Sequence, residues 1–369
     1  MSVTNPTTQD HTSPSQVAAP APTSSRAARP RIEFVDVAKG IAILSIVAGH
    51  VGFINPDAES LLVRIVFPYH VPVFYLIAGY FLTDHQPFVR FAKQKARRLL
   101  VPYVLTCLFI VAVVAFLSAL RGTANPPTIY TTARDALKAS LYGSGTLVPE
   151  GFQIIGAIWY LEALFIALLE MRLLIGHEVL APIVVLALGV GSALTAQDLG
   201  IWLPFNIQSG FFGGLFVYVG HLMKRAELMG RPWRTSTVIA FAAALACVYV
   251  WGVHKGCLTY AVQAYPGANW LGIPFSVCAS VLVLCASWLI DRYAPPAKRF
   301  LAWWGKNSLD VLCVHLVCLD CGLAFVLTKL GVPCADPYLF LATVGCMLAL
   351  SYAFVKVKER VRPYTLRRR

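Results

Sequence analysis

The chain has 369 residues, of which 57% are hydrophobic and only 13% charged; a soluble globular domain carries roughly 25% charged residues. That balance excludes a soluble enzyme and points to an all-α, polytopic membrane protein. The formal charge of +13 would suit a nucleic-acid binder, but its distribution along the chain argues against that partner.

Residues 1–30 are rich in Ser, Thr, Pro, Ala and Gln and hold no apolar core long enough for a signal peptide. They read as a disordered cytoplasmic tail. A membrane span needs roughly 20 apolar residues. Ten stretches qualify as candidates: 34–53, 61–82, 99–120, 153–174, 179–195, 209–223, 235–253, 270–290, 308–328 and 337–355, the fifth and sixth being short. An even number puts both termini on one side. Of the 31 Lys and Arg residues, only Arg121, Arg134, Lys138, Lys255 and Lys329 fall in the segments read as outer, only Lys39 and Arg64 lie well within spans, and Arg172 sits at the inner end of the fourth. All the others crowd the opposite side, which the positive-inside rule makes the cytoplasm. The expected organisation is an integral membrane domain over 31–356 and a basic cytoplasmic tail over 357–369. The excess charge then anchors the protein against anionic lipid of the cell membrane.

The first span carries Asp36, Lys39 and His50. Lys39 and His50 stand eleven residues apart, about three helical turns, so they share one face at about 16 Å separation. A charge in lipid costs several kcal/mol, so this face should turn into protein or a wet cavity. Two ionisable groups at two depths suggest a site reachable from both sides.

The second span contains Pro68, His70 and Pro72 and closes on Ala78-Gly79-Tyr80-Phe81. Two prolines break its hydrogen-bond ladder, which survives where backbone lines a cavity or packs on protein. His70 reads either as a pocket residue near His50 or as a histidine bonded to a neighbouring carbonyl. The basic run that follows holds Arg90, Lys93, Lys95, Arg97 and Arg98. It fits lipid phosphates and a phosphate-bearing donor equally well. The fourth span brings Trp159, Tyr160 and Glu162. A carboxylate there would orient a histidine, or pair with Arg64 or a tyrosine hydroxyl. The ninth opens Gly305-Lys306-Asn307-Ser308, with Asn307 or Ser308 a helix N-cap, and reaches His315. His315, Cys318 and Cys321 raise a metal site, but drift over six helical residues suits three ligands poorly, so no metal is expected. Cys257 and Cys334 fall in outer loops, where a disulfide is permitted.

These residues resemble the membrane acyltransferase 3 family, in its branch of fucose 4-O-acetylase-like acetyltransferases. The matching pieces are Arg31 to Gly40 running on to Gly49-His50, then His70 to Phe81, Lys95 to Tyr103, Trp159-Tyr160-Leu161, and Gly305 to Leu309 up to His315. They occur in the family's order over about 31–315. Its basic residue followed by ten residues and then a histidine corresponds to Lys39 and His50, and its basic pair with two residues between, at the inner end of the third helix, to Lys95 and Arg98. Two departures touch the acceptor pocket: Ala78 where the family often has Ser, and Leu312 where it often has Tyr.

The resemblance implies a ten-helix fold that transfers an acyl group, usually acetyl from acetyl-CoA as co-substrate and with no bound cofactor, to a hydroxyl of a cell-surface or lipid-linked carbohydrate. On that footing His50 and Glu162 are the expected catalytic pair. Lys39, Lys95, Arg97 and Arg98 meet the donor; Asp36, His70, Trp159, Tyr160 and His315 line the pocket. His50 would act as general base or carry the acyl group itself. The rival class is a transporter or flippase, which also uses buried charge and broken spans.

Overall fold

The computed structural model describes residues 1–2, 32–53, 61–121, 128–145, 148–197, 199–255, 270–333 and 337–366. Most of the expected N-terminal tail, and both Cys257 and Cys334, lie outside the described residues. Among them every regular element is helical. In chain order these are α1 (Glu33–Phe53), α2 (Leu61–His70), α3 (Pro72–Tyr80), α4 (Phe88–Arg121) and α5 (Ala133–Tyr142). Then come α6 (Trp159–Leu174), α7 (Leu180–Gln197), α8 (Ile207–Arg225), α9 (Thr235–His254) and α10 (Gly272–Tyr293). The last are α11 (Pro295–Lys306), α12 (Ser308–Asp320), α13 (Leu323–Lys329) and α14 (Tyr338–Leu366).

Each of the ten expected apolar stretches falls on a helix or a broken pair. Six are long and apolar enough to cross a membrane: α1, α2 with α3, α4, α9, α10 and α14. The pair α12–α13, bent by 56°, makes seven if it counts as one span. The remaining three stretches, on α6, α7 and α8, fall short in length or apolarity. The reason is visible in their residues, since α6 has only 16 residues and carries Glu162, Glu170 and Arg172, while α8 carries Gln208, His221, Lys224 and Arg225. The protein is an integral membrane protein. At the chain's end α14 runs on to Leu366, so the basic stretch expected as a tail from 357 begins as helix.

The second span breaks where its prolines put the break. Pro72 has no N–H for the carbonyl four residues back and opens α3 as its first residue, leaving Val71 between the two pieces. The short α3 is held by α8 through two glycines. A Cβ at Gly79 would strike the Val217 carbonyl, and one at Gly220 the Leu76 carbonyl. Backbone therefore meets backbone at both points, as small residues allow between membrane helices.

Helix α1 lies at the centre, against α2, α3, α10, α11, α12 and α14. Its most intimate neighbour is α11, which falls between the eighth and ninth expected spans. Pro295 and Pro296 start α11, and Trp304 and Gly305 are buried near its end. The Leu301 carbonyl fills the place of a Cβ at Gly40, and the Asp36 carbonyl that of a Cβ at Gly305. Lys298 adds an ion pair to Asp291 at 2.8 Å and another to Glu33. Hydrogen bonds to Asp291 and Glu33 raise the Lys298 pKa, so the clasp stays charged. Asn307 takes the N-cap position of α12 but spends its side chain on the Trp303 carbonyl at 2.8 Å.

Gly79→Val should lower the thermal unfolding midpoint in detergent, by the equivalent of about 1–3 kcal/mol or more for an overpacked contact. Gly345→Ala, where a Cβ meets nothing within 4 Å, should change it by less than about 0.5 kcal/mol. Equal midpoints for the two variants would remove the backbone contact from the account.

Candidate functional site: a histidine cluster on the central helix

Three histidines from three helices converge: His50 near the end of α1, His70 at the end of α2, and His315 in α12. The His50 ring centre lies 6.1 Å from that of His70 and 5.5 Å from that of His315, both edge-on. His70 and His315 are buried, at 3% and 0% exposure, and His50 is partly open. Phe67 packs on both His50 and His70.

One device orients all three rings. A carbonyl oxygen only accepts, so a ring nitrogen bonded to it must donate. His50 Nδ1–H donates to the Ile46 carbonyl at 2.8 Å. His70 Nδ1 reaches the carbonyls of Val66 and Phe67, each at 3.1 Å. His315 Nδ1 reaches that of Leu312 at 2.7 Å. In the neutral ring each Nε2 then carries a lone pair. The Nε2 of His315 is buried and makes no hydrogen bond to a described residue. His70 is bonded to neighbouring carbonyls and stands beside His50.

At the opposite end of α1, Lys39 lies 3.8 Å from Asp36, with Asp36 buried and the lysine part-exposed. The helical repeat places Ile43 and Ile46 on the same face, between Lys39 and His50. They are 1% and 4% exposed. The face that joins the two ionisable groups is therefore dry at its middle.

Glu162 is buried too, but in other company. Asn206 Nδ2 donates to its Oε2 at 2.8 Å and also to the Gly143 carbonyl. Tyr103, whose hydroxyl donates to the Ser140 carbonyl at 2.7 Å, stands beside the carboxylate. Gly143 has φ +83°, and a Cβ there would strike Glu162 Oε2. Among the described residues no hydrogen bond joins Glu162 to His50. Nor does Arg64 pair with it, since Arg64 donates to the Val253 and His254 carbonyls at the end of α9. The Glu162 geometry is that of a tie between helix and loop. Trp159 packs its indole under Gly145. Tyr160 faces α3, 5.2 Å from Tyr75 edge-on and 6.0 Å from Phe74.

Two buried acids were missed by the sequence reading. Asp320, 2% exposed, accepts from Tyr130 Oη at 3.1 Å and closes α12 over the 128–130 segment. An aspartate inside an apolar run was the available signal. Glu170 lies against Gly214, and neither of its carboxyl oxygens bonds to a described residue. Among the described residues no three His, Cys, Asp or Glu side chains are grouped to hold a metal ion.

The basic run divides. Arg90, Lys93, Gln94 and Arg97 line one open groove with Gln86, Pro87 and Val89. Lys95 instead turns its ammonium over the Phe91 ring, 5.2 Å from its centre, and neither it nor Arg98 lines that groove.

A family model for an acyltransferase domain matches residues 32–356, nearly the whole of this helical body. No curated protein and no solved structure matches the chain.

Asn206→Ala removes one donor from a buried carboxylate and one from the Gly143 carbonyl. The expected cost is about 1–3 kcal/mol, seen as a lower unfolding midpoint. If Glu162 serves mainly as this tie, Glu162→Gln should keep most of the folded yield, because an amide oxygen still accepts from Asn206.

Proposed function

The chain belongs to the acyltransferase 3 family, and we propose that it moves an acyl group, acetyl by default, from cytoplasmic acyl-CoA to a hydroxyl of a cell-surface or lipid-linked carbohydrate. In this reading ten apolar segments thread the cell membrane, both termini are cytoplasmic, Lys39 lies toward the donor side and His50 toward the acceptor.

The observation that carries the reading is the hydrogen bond from His50 Nδ1 to the Ile46 carbonyl. It fixes the tautomer without a carboxylate and leaves Nε2 as a base. A sugar hydroxyl is a weak nucleophile at neutral pH. His50 Nε2 takes its proton as the oxygen attacks the thioester carbonyl. The C–S bond then breaks, the thiolate leaves and recovers that proton, and an ester and free CoA remain. A base placed in this way contributes about 10² to 10⁴ in rate. His70 and His315, themselves held by carbonyls, wall the ring in and limit its rotation. Asp36 keeps the Lys39 ammonium in place, where it meets a donor phosphate or amide. Trp159 and Tyr160 shape the acceptor side. Glu162 supports that side through Asn206 rather than through His50.

His50→Ala should cut acyl transfer by at least 10²-fold while the protein still inserts and unfolds at an unchanged midpoint. The assay is release of free thiol from acetyl-CoA by purified protein with an acceptor glycan. Near-normal turnover in a well-folded His50→Ala protein would end the assignment. Lys39→Ala should raise KM for acetyl-CoA more than KM for the acceptor; an equal rise in both would count against a donor role.

A further inference from the structure

Two buried polar groups where α6 meets α8 bond to nothing among the described residues. One is the carboxyl of Glu170, a residue only 6% exposed, and the other is Nδ1 of His221. The acids discussed above are tied, Glu162 by Asn206 and Asp320 by Tyr130. Glu170 instead lies against Gly214, where a Cβ would strike its Oε2. Helix α8 thus offers this carboxyl bare backbone.

A cavity of about 270 Å³ begins one turn further on. The two helices run in the same direction, since Ala163 and Ile166 meet Gly210 while Glu170 meets Gly214. Gly214, Tyr218, His221 and Arg225 recur at i, i+4, i+7 and i+11, so they share one face of α8. Tyr218, His221 and Arg225 line the cavity with Met171 and Leu174 of α6. Asp84 and Glu178 reach it from the linkers before α4 and after α6. Arg225 and Glu178 pair at 2.6 Å, both well exposed, so the rim is charged and open. A polar cavity of this size has room for several waters. Titratable side chains therefore lead from a wet rim to a carboxyl about 5 Å, one helical turn, beyond its inner end.

A buried carboxylate without a partner is too costly to persist, so this acid calls for a cation. Metal ions take several oxygens at once, and among the described residues no three His, Cys, Asp or Glu side chains are grouped. A proton needs one oxygen. We propose that Glu170 is a proton-binding site, filled through this cavity past His221 and Tyr218. Of the elements packed on it, α8 also carries Lys224 and Arg225, and α6 itself Tyr160, Glu162 and Arg172. Helix α3 carries Tyr75 and Tyr80, α4 the basic run from Arg90 to Arg98 and Tyr103, and α7 no titratable group. None of these bonds to Glu170. Its proton registers the pH of the side onto which the cavity opens, the cytoplasm in the topology read above. It does so on α8, the helix that holds α3 through Gly79 and Gly220.

The test is infrared spectroscopy of the full-length protein in nanodiscs, which needs neither donor nor acceptor and so stands or falls apart from the acyl-transfer reading. A protonated carboxyl absorbs apart from a carboxylate. Wild type minus E170Q should show one protonated-carboxyl band at neutral pH, and that band should fade as the pH is raised. On transfer to D2O the band should shift as the proton exchanges. The shift should be at least tenfold slower in H221F, which removes the ring nitrogens, and in A181L, which fills the cavity from α7. The two changes sit on different helices, so one reports even where the other fails to fold. Absence of the band in wild type at neutral pH overturns the proton site. A band that persists at every pH, or that exchanges as fast in the variants as in wild type, overturns the cavity as its route.

Discussion

Everything in this molecule is arranged around the enclosure of one helix. Helix α1 carries an ammonium at one end and an imidazole at the other, and neither tolerates hydrocarbon. Six helices surround it, and the closest of them, α11, approaches until its backbone touches that of α1 at Gly40 and Gly305. Such contact is possible only where side chains are missing from both surfaces. It sets the position of Asp36 and Lys39 as firmly as any hydrogen bond would.

The histidine cluster follows from the same economy. An imidazole inside protein must have its N–H satisfied, and a helix supplies carbonyls one turn back. His50, His70 and His315 all take that local solution, so no distant carboxylate is needed to orient them. Glu162, which sequence reasoning would place next to a histidine, and Asp320, which it passes over, are both used as ties. Glu162 binds the loop at Gly143 through Asn206, and Asp320 binds the segment at Tyr130.

Much of this was legible in the sequence. Long apolar runs announced the helices, Pro68 and Pro72 announced the break at Val71, and the eleven-residue spacing placed Lys39 and His50 on one face. Three features were not. Helix α11 falls in a basic segment between the eighth and ninth expected spans, and only a narrow stripe, Ala302, Trp304 and Gly305, is buried. The partner of Glu162 sits 44 residues away, at a backbone position with φ 52°, and spacing along the chain carries no information about such a pairing. The basic run looked like one clamp. Only the three-dimensional groove separates Arg90, Lys93 and Arg97 from Lys95 and Arg98.

Ile43 and Ile46 give the central helix an electrical character. A membrane voltage falls steeply where matter is driest, and transferring one elementary charge through the full drop costs roughly 2.3 kcal/mol per 100 mV. Ile43 and Ile46, both buried, leave a charge no polar group to rest on along that face between Lys39 and His50. A neutral group meets no such penalty beside those residues, while a charged one meets all of it. The same two residues that interrupt the polar face insulate its two ionisable ends from each other.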